Sequence, residues 1–507
     1  MDCRSGLSRD CFRPVHSEHS RLKPLLQGIE SVLVDAVRAN ELRVKLADIL
    51  GPGGLLLDPA ECLAYSYDNS RRQSLPDAVA LPTTPEQVQA IVRLCRSHGT
   101  AITARGRGTN TTGASVPVRG GLVVSFERMN RIVDIRPGDR VAVVEPGLLN
   151  GDLQQALREH GLFWPPDPTS APYCTIGGNL ACNAGGPRAV KYGATRDNVL
   201  AITAITGAGE LVRFGAATSK GSSGYDLSRL LIGSEGTLAL IVEATLKLTP
   251  LAPQRRALRA LYRDVAAAAQ AVSRLMAQPV TPSMLEFMDA ACVRLAREVG
   301  GVELPEAGAL LMIEADGDSA VLASALVALE TAARGDGCLA VDSANDESAR
   351  EKLWAARKAL SPALRTIAPG KINEDVVVPV SRIPALVERV DAIAEQQQLT
   401  IVCFGHAGNG NLHVNILYDP HDSAVVARAE LALAQVFETT LALDGQLSGE
   451  HGIGLAKREF MARAFDPATL AAMRAIKQVF DPDGILNPGK LLPATNESDP
   501  RVSTGHD

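Results

Sequence analysis

The chain of 507 residues carries 51 lysines and arginines against 57 acidic residues, which gives a formal net charge of -6. Nucleic-acid binders generally take their affinity from clustered cations on phosphates, so this balance excludes a general nucleic-acid binder. No apolar run approaches the roughly 18 residues that a membrane span needs. We therefore expect a cytoplasmic globular protein of two or three domains, with any contact with the inner face of a membrane being peripheral.

The two ends of the chain and the spacing of its cysteines indicate how the protein is processed and in which compartment it lies. Residues 1–30 are rich in arginine and poor in acidic residues, without the apolar stretch of a secretion signal. We predict a disordered extension there, or a misplaced start codon, with a transit peptide as the weaker alternative, and a disordered tail over 496–507. The nine cysteines form no C-x-x-C pair, which indicates a reducing compartment and excludes a recognisable iron–sulfur or zinc–cysteine site.

The predicted elements begin with a helix over about residues 34–49 that ends at Gly51. A β-α-β unit follows, in which Thr84 caps the helix, Pro85 occupies its first turn and Gly99 ends it. Strands and a helix then alternate, with strands at 121–125, 141–145, 199–206 and 237–248 and a helix in "GDLQQALREHG".

The composition and hydrophobic pattern of the sequence change near residue 250. From about 255 to 395, alanine-rich amphipathic helices such as "DVAAAAQAVSRLMAQ" alternate with strands such as "GALLMIEAD". This pattern predicts an α+β domain inserted between two halves of a site. We accordingly assign an N-terminal domain to 31–250, a cap domain to 251–400 and a C-terminal segment to 401–495.

Three glycine-rich segments precede the cap: "ARGRGTNTTGASVP" (104–117), a stretch containing "CTIGGNLACNAGG" (165–199), and "GYDLSRLLIGSEGTLALI" within 224–248. Such loops bring backbone N–H groups close to an anion or to a bulky flat group. The first is not G-x-G-x-x-G, because Thr111 stands at the third glycine, and the chain has no P-loop ending. Together the segments predict a large phosphate-bearing cofactor that is bound neither by a Rossmann site nor by a P-loop.

The stretch "FGHAGNGNLHVNILY" (404–418) predicts a β-hairpin with a type I′ turn at Asn409-Gly410. That turn would place His406 directly opposite His413, with Cβ atoms about 5 Å apart, close enough to bind one metal ion. Alternation puts Asn415 on the face of His413 and turns the apolar residues Leu412, Val414 and Ile416 to the core.

A third metal ligand comes from "SGEHGIGLAKREF" (448–460), where Glu450 can complete a two-histidine, one-carboxylate set. Zinc suits such a set, and manganese or iron is also tolerated. The adjacent His451, in extended backbone, would point away from the ion and stay free. A helix is predicted to begin near Leu455.

These motifs, with "KYGATRDNV", "LIGSEGTLALI" and "DPDGILNPGK", resemble the vanillyl-alcohol-oxidase-type FAD proteins over about residues 75–493. The resemblance is to the branch with D-lactate dehydrogenase, the glycolate oxidase flavoprotein subunit and D-2-hydroxyglutarate dehydrogenase. It implies an α+β fold with a bipartite FAD-binding domain and an inserted α+β cap.

The resemblance also implies which residues bind FAD. The pyrophosphate would be held by the first glycine-rich segment, and the flavin and ribityl chain by the other two, with Asn487 and Lys490 nearby. Covalent relatives carry a histidine in the first loop, and none lies between His98 and His160, so noncovalent binding is expected. The expected FAD residues are Arg105, Gly106, Gly108, Thr109, Asn110, Thr111, Pro168, Gly177, Gly178, Asn179, Gly185, Gly236, Ile241 and Asn487.

For the substrate, the resemblance implies a divalent metal, with zinc first, that holds the hydroxyl and carboxylate oxygens of a 2-hydroxy acid. His451 would accept the hydroxyl proton while hydride passes to flavin N5, and Asn415 would orient the oxygen. Arg357 and Lys371 match substrate-binding positions, and Ser361 stands where a hydroxyl residue is expected.

The leading interpretation is a dehydrogenase of D-lactate or glycolate, with D-2-hydroxyglutarate as the alternative substrate. Electrons would pass to a cytochrome, a quinone, an electron-transfer flavoprotein or an iron–sulfur subunit, and a homodimer is the expected self-assembly. Two other classes are a non-redox flavin transferase, like the alkylglycerone-phosphate synthases, and a subunit that keeps FAD for structure alone. The histidines and Glu450 favour the dehydrogenase.

Overall fold

The computed structural model describes residues 38–299, 301–344 and 346–494. The predicted extension over 1–30 and the predicted tail over 496–507 lie outside the described residues. None of the helices in the described part of the chain is both long and apolar enough to cross a membrane.

The N-terminal region begins with a helix and a small sheet. The helix α1 covers residues 38–50, and the described part of the predicted first helix agrees with it. The sheet has the order β1-β2-β4-β3, and both β2 and β3 run parallel to β4. Its strands are β1 (Leu55–Leu56), β2 (Ala78–Ala80), β3 (Ile102–Arg105) and β4 (Leu122–Ser125).

The β-α-β prediction is confirmed, with β4 inserted between the two strands that the helix connects. The connecting helix is Pro85–His98, capped by the Thr84 hydroxyl and closed by Gly99 in the left-handed region. Its apolar side packs on the sheet together with Leu486 from the end of the chain. The backbone N–H of Ile102 donates to Ile485 O over 2.8 Å. The C-terminal segment therefore returns to the N-terminal sheet, as a bipartite domain requires.

A second sheet follows along the chain and carries the next part of the core. It is antiparallel, with the order β5-β6-β10-β8-β9, and β7 pairs separately with β11. Its strands are β5 (Ile132–Arg136), β6 (Val141–Val144), β7 (Leu162–Phe163), β8 (Val199–Thr206), β9 (Leu211–Gly215), β10 (Ala239–Lys247) and β11 (Thr249–Pro250). The helices up to this point are α2 (Pro59–Cys62), α3 (Pro85–His98), α4 (Asn150–Arg158), α5 (Ile176–Cys182), α6 (Ala189–Tyr192) and α7 (Leu227–Leu231).

The third sheet is antiparallel, seven-stranded and ordered β15-β12-β14-β13-β17-β18-β16. It runs across the predicted boundary at 400/401, so the strands with the two histidines belong to the cap sheet. The strands are β12 (Gln254–Tyr262), β13 (Met284–Asp289), β14 (Ala309–Gly317), β15 (Cys338–Ala344), β16 (Gly370–Val377), β17 (Thr400–His406) and β18 (Asn411–Tyr418).

Helices cover both faces of this third sheet. The helices α8, α10, α12 and α13 pack on one face, whereas α9 and α11 pack on the other, beside the functional residues. The helices are α8 (Val265–Ala277), α9 (Ala290–Glu298), α10 (Ser319–Ala333), α11 (Glu347–Ile367), α12 (Ile383–Gln397), α13 (Ser423–Ala442), α14 (Met461–Ala464) and α15 (Pro467–Phe480). Single 3₁₀ turns cover Leu63–Tyr65, Pro137–Asp139, Thr195–Asp197, Val380–Arg382, Ala407–Asn409 and Arg458–Phe460.

Two local predictions are wrong. No I′ turn joins β17 to β18, because Asn409 lies in a 3₁₀ turn and only Gly410 has a positive φ, of 72°. The chain packs this turn against the end of β16, where a Cβ on Gly410 would lie 1.9 Å from Val378 O. The helix expected to begin near Leu455 begins later: the segment turns first, then enters a 3₁₀ helix at Arg458–Phe460 that leads into α14.

Candidate active site

A cavity of about 450 Å³ lies between the glycine-rich loops and the third sheet. Residues of the first loop line one part of it, and Arg357, Lys371, His413, Glu450 and His451 line another. Of the predicted FAD residues, those that line the cavity are Arg105, Gly106, Gly108, Thr109, Asn110, Thr111, Pro168, Gly177, Gly178, Asn179, Gly236 and Ile241. The fold thus brings the predicted cofactor loops to the same space as five of the predicted metal and substrate residues, whereas His406 and Asn415 do not line it.

The first loop offers hydrogen-bond donors to this cavity. The Arg105 side chain is buried, and its Nη2 donates to Ala64 O over 3.1 Å. Its Nη1 and the Thr111 hydroxyl are buried without a hydrogen-bond partner among the described residues. Buried polar groups normally have partners, so these two atoms suit an anionic ligand such as a diphosphate.

Two predicted cofactor residues, Gly185 and Asn487, do not line the cavity, and neither does Lys490, which was expected nearby. A Cβ on Gly185 would lie 3.1 Å from Glu450 Oε2, so this glycine makes room for the metal-site carboxylate instead. The buried Asn487 side chain donates to Ala114 O and Glu235 O over 2.8 and 2.7 Å. Lys490 Nζ donates to Asn487 Oδ1 over 2.9 Å. The Asn487–Lys490 pair therefore holds the loops that line the cavity from behind.

The two histidines share one face of the third sheet, as predicted, but in a different register. His406 stands opposite Asn411, and Phe404 stands opposite His413, so the expected direct His406–His413 pairing is wrong. Because the shift is two residues, the faces are unchanged: the ring centres lie 5.3 Å apart. Leu412, Val414 and Ile416 lie in the core on the other face, as predicted.

Glu450 completes a group of three candidate ligands. His406 Nε2 lies 3.5 Å from Glu450 Oε1, and His413 Nε2 lies 3.7 Å from the same oxygen. One nitrogen or oxygen from each residue lies within 4.8 Å of those of the other two. Ligands at about 2.0–2.1 Å around a tetrahedral zinc are separated by about 3.3 Å, so the donor set fits a metal ion.

A buried carboxylate behind the group fixes the orientation of His406. Glu286, opposite His406 in the pairing of β13 with β17, accepts a hydrogen bond from its Nδ1. Burial alone would lower the pKa of His406, but the carboxylates of Glu286 and Glu450 outweigh it and raise the pKa to about 10. Burial opposes the ionisation of Glu286 too, but His406 and Arg357 lower its pKa to about 2. The protein without metal therefore holds an imidazolium between two carboxylates.

The other two candidate ligands carry no proton at neutral pH. Burial, reinforced by the charge on His406, lowers the pKa of His413 to about 3. Burial would raise the pKa of Glu450, but the hydrogen bond and charge of His406 lower it to about 2. His413 and Glu450 are therefore already in the protonation states that bind a metal ion.

His451 lies beside the group without being part of it. Its ring stacks on that of His413 with centres 5.3 Å apart, so it does not point fully away as predicted. Its Nδ1 lies 3.3 Å from Asp375 Oδ1. Burial opposes ionisation of Asp375, but His451 and Lys457 hold its pKa well below the usual range.

Asp375 shapes the loop that carries both Glu450 and His451. Its Oδ2 accepts three consecutive backbone N–H groups, from Gly449, Glu450 and His451, over 2.7, 2.6 and 3.0 Å. Its Oδ1 accepts from the fully buried Lys457 Nζ over 2.6 Å. One carboxylate thus fixes the backbone that presents the candidate metal ligand Glu450 and the adjacent histidine.

The substrate residues predicted from the resemblance lie in different positions relative to the cavity. Arg357 donates from Nε to Glu286 Oε2 over 3.1 Å, and its guanidinium carbon lies 4.4 Å from the centre of the Phe404 ring. Asn415 is buried outside the cavity lining, and its Nδ2 donates to His413 O over 3.1 Å. The Ser361 side chain lies outside the described residues.

Four residues at the site were not singled out from the sequence: Glu286, Asp375, Lys457 and Asn373. Asn373 lies opposite Asn415, lines the cavity, and has a buried Oδ1 without a partner among the described residues. The available signal was a charged or amide side chain inside an otherwise apolar strand, as in "SMLEFMD" and "NEDVVVP". That signal marks a buried polar group but does not identify its partner.

Two protein-family models match the chain. "FAD binding domain" matches residues 76–215, and "FAD linked oxidases, C-terminal domain" matches residues 251–491. The solved structure of p-cresol methylhydroxylase with substrate bound has a TM-score of 0.75 at 15% identity, covering 89% of this chain and 96% of that one. The fold is accordingly that of a flavin-dependent oxidoreductase with a vanillyl-alcohol-oxidase-type FAD-binding domain.

Curated relatives narrow this class. Glycolate oxidase subunit GlcD of Bacillus subtilis is 38% identical, covering 89% of this chain and 97% of the relative. D-lactate dehydrogenase of Anaerostipes hadrus is 35% identical, covering 82% of this chain and 89% of the relative. D-2-hydroxyglutarate dehydrogenase of Stutzerimonas stutzeri is 34% identical over 89% and 98%. The chain belongs to this family of FAD-linked oxidoreductases.

Proposed function

We propose that the protein is an FAD- and metal-dependent dehydrogenase that oxidises a small D-2-hydroxy acid, D-lactate or glycolate, to the 2-oxo acid. One observation carries the proposal: His413, Glu450 and His451 line the same cavity as the predicted FAD loops. The names of the relatives support the substrate class, because all three act on 2-hydroxy acids by their names.

The cofactor part of the proposal rests on the loops around the cavity. When bound, FAD supplies a two-electron acceptor for the hydride from C2 of the substrate. Arg105 Nη1 and the Thr111 hydroxyl, both buried and unpartnered among the described residues, would donate hydrogen bonds to its diphosphate. Because the first loop has no histidine, we propose that the cofactor is held without a covalent bond.

The metal part rests on the donor set of His406, His413 and Glu450. When bound, a divalent ion, zinc being the first candidate, supplies a Lewis acid that lowers the pKa of the substrate hydroxyl. Glu286 holds His406 with Nε2 directed toward Glu450. Gly185 leaves room for the Glu450 carboxylate, since a Cβ there would press on Oε2.

The remaining residues would bind the acid and move its proton. Arg357, held by Glu286 and Phe404, would pair with the substrate carboxylate, and Lys371, which also lines the cavity, would add a second cation. His451 would accept the hydroxyl proton as hydride leaves C2, and the Asp375 carboxylate, 3.3 Å from its Nδ1, would stabilise the positive charge that forms. Asn415 lies outside the cavity lining, so we assign the orientation of the oxygen to Asn373 opposite it, which lines the cavity and has a buried Oδ1 without a partner among the described residues.

Electrons from the reduced flavin would leave through a separate acceptor, since the sequence has no C-x-x-C iron–sulfur motif. The word "subunit" in the name of the Bacillus subtilis relative supports a partner chain in this role. A cytochrome, a quinone or an electron-transfer flavoprotein would serve the same chemistry. D-2-hydroxyglutarate is the second candidate substrate, on the name of the Stutzerimonas stutzeri relative.

The experiment is an anaerobic titration of the purified protein with D-lactate, L-lactate, glycolate and D-2-hydroxyglutarate, followed by flavin absorbance. We expect D-lactate or glycolate to bleach the flavin and L-lactate to leave it oxidised. Acid precipitation of the same preparation should release all flavin into solution. A folded, FAD-loaded, metal-replete protein that no 2-hydroxy acid reduces would refute the proposed function.

A further inference from the structure

Glu286 contacts two groups that the proposed function uses for different purposes. It lies on β13, opposite His406, and its side chain is 1% exposed. One carboxylate oxygen, Oε1, accepts from His406 Nδ1, and the other, Oε2, accepts from Arg357 Nε over 3.1 Å. A single buried carboxylate therefore joins a metal ligand to the arginine that faces the substrate.

The two partners reach Glu286 from separate elements. His406 is the last residue of β17, whereas Arg357 lies on α11 and reaches across the sheet. The ring of Phe404 lies under its guanidinium, 4.4 Å from the ring centre to the guanidinium carbon. Phe404 restrains the guanidinium plane and also lies beside His413, with ring centres 5.7 Å apart. That link is a ring contact, whereas Glu286 joins the arginine to His406 through hydrogen bonds.

We propose that Glu286 is a positioning residue that sets the spacing between the carboxylate anchor and the metal centre. The inference rests on the proposed function, because it takes Arg357 as the anchor and His406 as a ligand. A 2-hydroxy acid carries its carboxylate and hydroxyl on adjacent carbons, so its two binding groups must keep a fixed separation. Metal affinity and acid affinity therefore both depend on this one carboxylate.

Glu286→Gln tests the link, because a carboxamide keeps the shape but has only one accepting oxygen. With metal bound through Nε2, His406 must keep its proton on Nδ1, so the amide oxygen turns to His406. The amide NH₂ then faces Arg357 Nε, which is also a donor and loses its acceptor. The neutral amide is also the weaker partner for His406, so both affinities fall.

Two affinities are measured on the FAD-loaded protein. Competition with a chromophoric chelator gives the affinity for Zn²⁺, which we expect to fall about 10- to 100-fold. Perturbation of the flavin spectrum by 2-hydroxyisobutyrate, which has no C2 hydrogen to lose, gives the affinity for the acid at saturating Zn²⁺. We expect the affinity for 2-hydroxyisobutyrate to fall about tenfold or more, as for the loss of one charge-assisted hydrogen bond.

Glu314→Gln is the matched control, since Glu314 is a buried carboxylate of the same sheet paired with Arg350 over 3.0 Å. Both affinities should stay within twofold in this variant. If either affinity of Glu286→Gln also stays within twofold of wild type, Glu286 is not the link.

If the glutamine variant does not retain FAD, Glu286→Asp replaces it. The aspartate keeps the charge but is one methylene shorter, so it reaches only one partner. At least one affinity must then fall about tenfold, and two unchanged affinities overturn the proposal. A wild-type protein that binds neither Zn²⁺ nor the acid refutes the proposed function instead, and this result is read before any variant is compared.

Discussion

Metal binding should release one proton from the protein, and that proton should come from His406. Glu286 and Glu450, against the opposing effect of burial, raise the pKa of His406 to about 10. His413, with a pKa of about 3, and Glu450, with a pKa of about 2, have no proton to lose at neutral pH. Since a histidine binds metal through an unprotonated nitrogen, His406 must give up the proton on Nε2.

The pH dependence of the metal affinity follows from the release of one proton. Below the pKa of about 10, the apparent metal affinity should rise about tenfold for each pH unit. Each unit corresponds to about 1.4 kcal/mol of binding free energy. Between about pH 6.5 and pH 8.5, the apparent dissociation constant should therefore fall about 100-fold.

Calorimetric titration in two buffers of different ionisation enthalpy counts the protons directly. The FAD-loaded, metal-free protein is titrated near neutral pH with Mn²⁺, because zinc-bound water can itself ionise near neutral pH. Glu286→Gln is the control, since removing the main cause of the raised His406 pKa should reduce the release below one proton. Release of no proton by the wild-type protein would show that His406 is already neutral and would refute this electrostatic account.

The remaining predictions concern the base, the buried ion pair and the pH dependence of stability. His451→Asn should keep FAD and metal but slow anaerobic flavin reduction about 10²- to 10⁴-fold in stopped flow; a wild-type rate means another base, and loss of metal makes His451 a ligand. Lys457→Met should cost about 3–5 kcal/mol in denaturant unfolding, because its fully buried ammonium contacts Glu374 and Asp375. Lys45→Met, at an exposed pair with Glu41, should leave the unfolding free energy nearly unchanged, and an equally small loss at Lys457 would contradict the burial argument. The folded pKa of His406 lies above the ordinary histidine pKa of 6.5, so its contribution to metal-free stability should be complete below that pH and be lost as pH rises through about 10. Unfolding free energies that do not decline over this range would contradict that contribution.

Which side chains of β17 and β18 share a face could be predicted from the sequence, but the register between the two strands could not. Alternation of polar and apolar residues is a property of each strand, and a shift of two residues preserves it. The register depends on the turn, which packs against Val378, the residue that follows β16 and lies about 30 positions before Gly410 in the chain. The prediction that the two histidines share one face of the sheet is therefore confirmed, whereas the predicted direct His406–His413 pair is wrong.

The carboxylates that orient the site were missed for a related reason. Glu286 and Asp375 lie on β13 and β16, on either side of the pair formed by β17 and β18 in the sheet order. Nothing in a linear sequence states that these strands flank the histidine hairpin. The glycine-rich loops, by contrast, keep their cofactor-facing residues together in the chain, so most of them could be identified from the sequence.

The metal dependence of flavin reduction, measured within one preparation, tests whether substrate oxidation needs a metal ion at His406, His413 and Glu450. The FAD-loaded protein is mixed anaerobically with D-lactate or glycolate, whichever reduces it, and the flavin band at roughly 450 nm is followed as supplied, after chelation and after return of Zn²⁺ or Mn²⁺. We expect rapid bleaching by the protein as supplied, little or none after chelation with FAD still bound, and recovery once metal is returned. His413→Ala should behave as the chelated protein does even after metal is returned. Full bleaching by protein shown to be metal-free by elemental analysis would contradict the need for a metal ion.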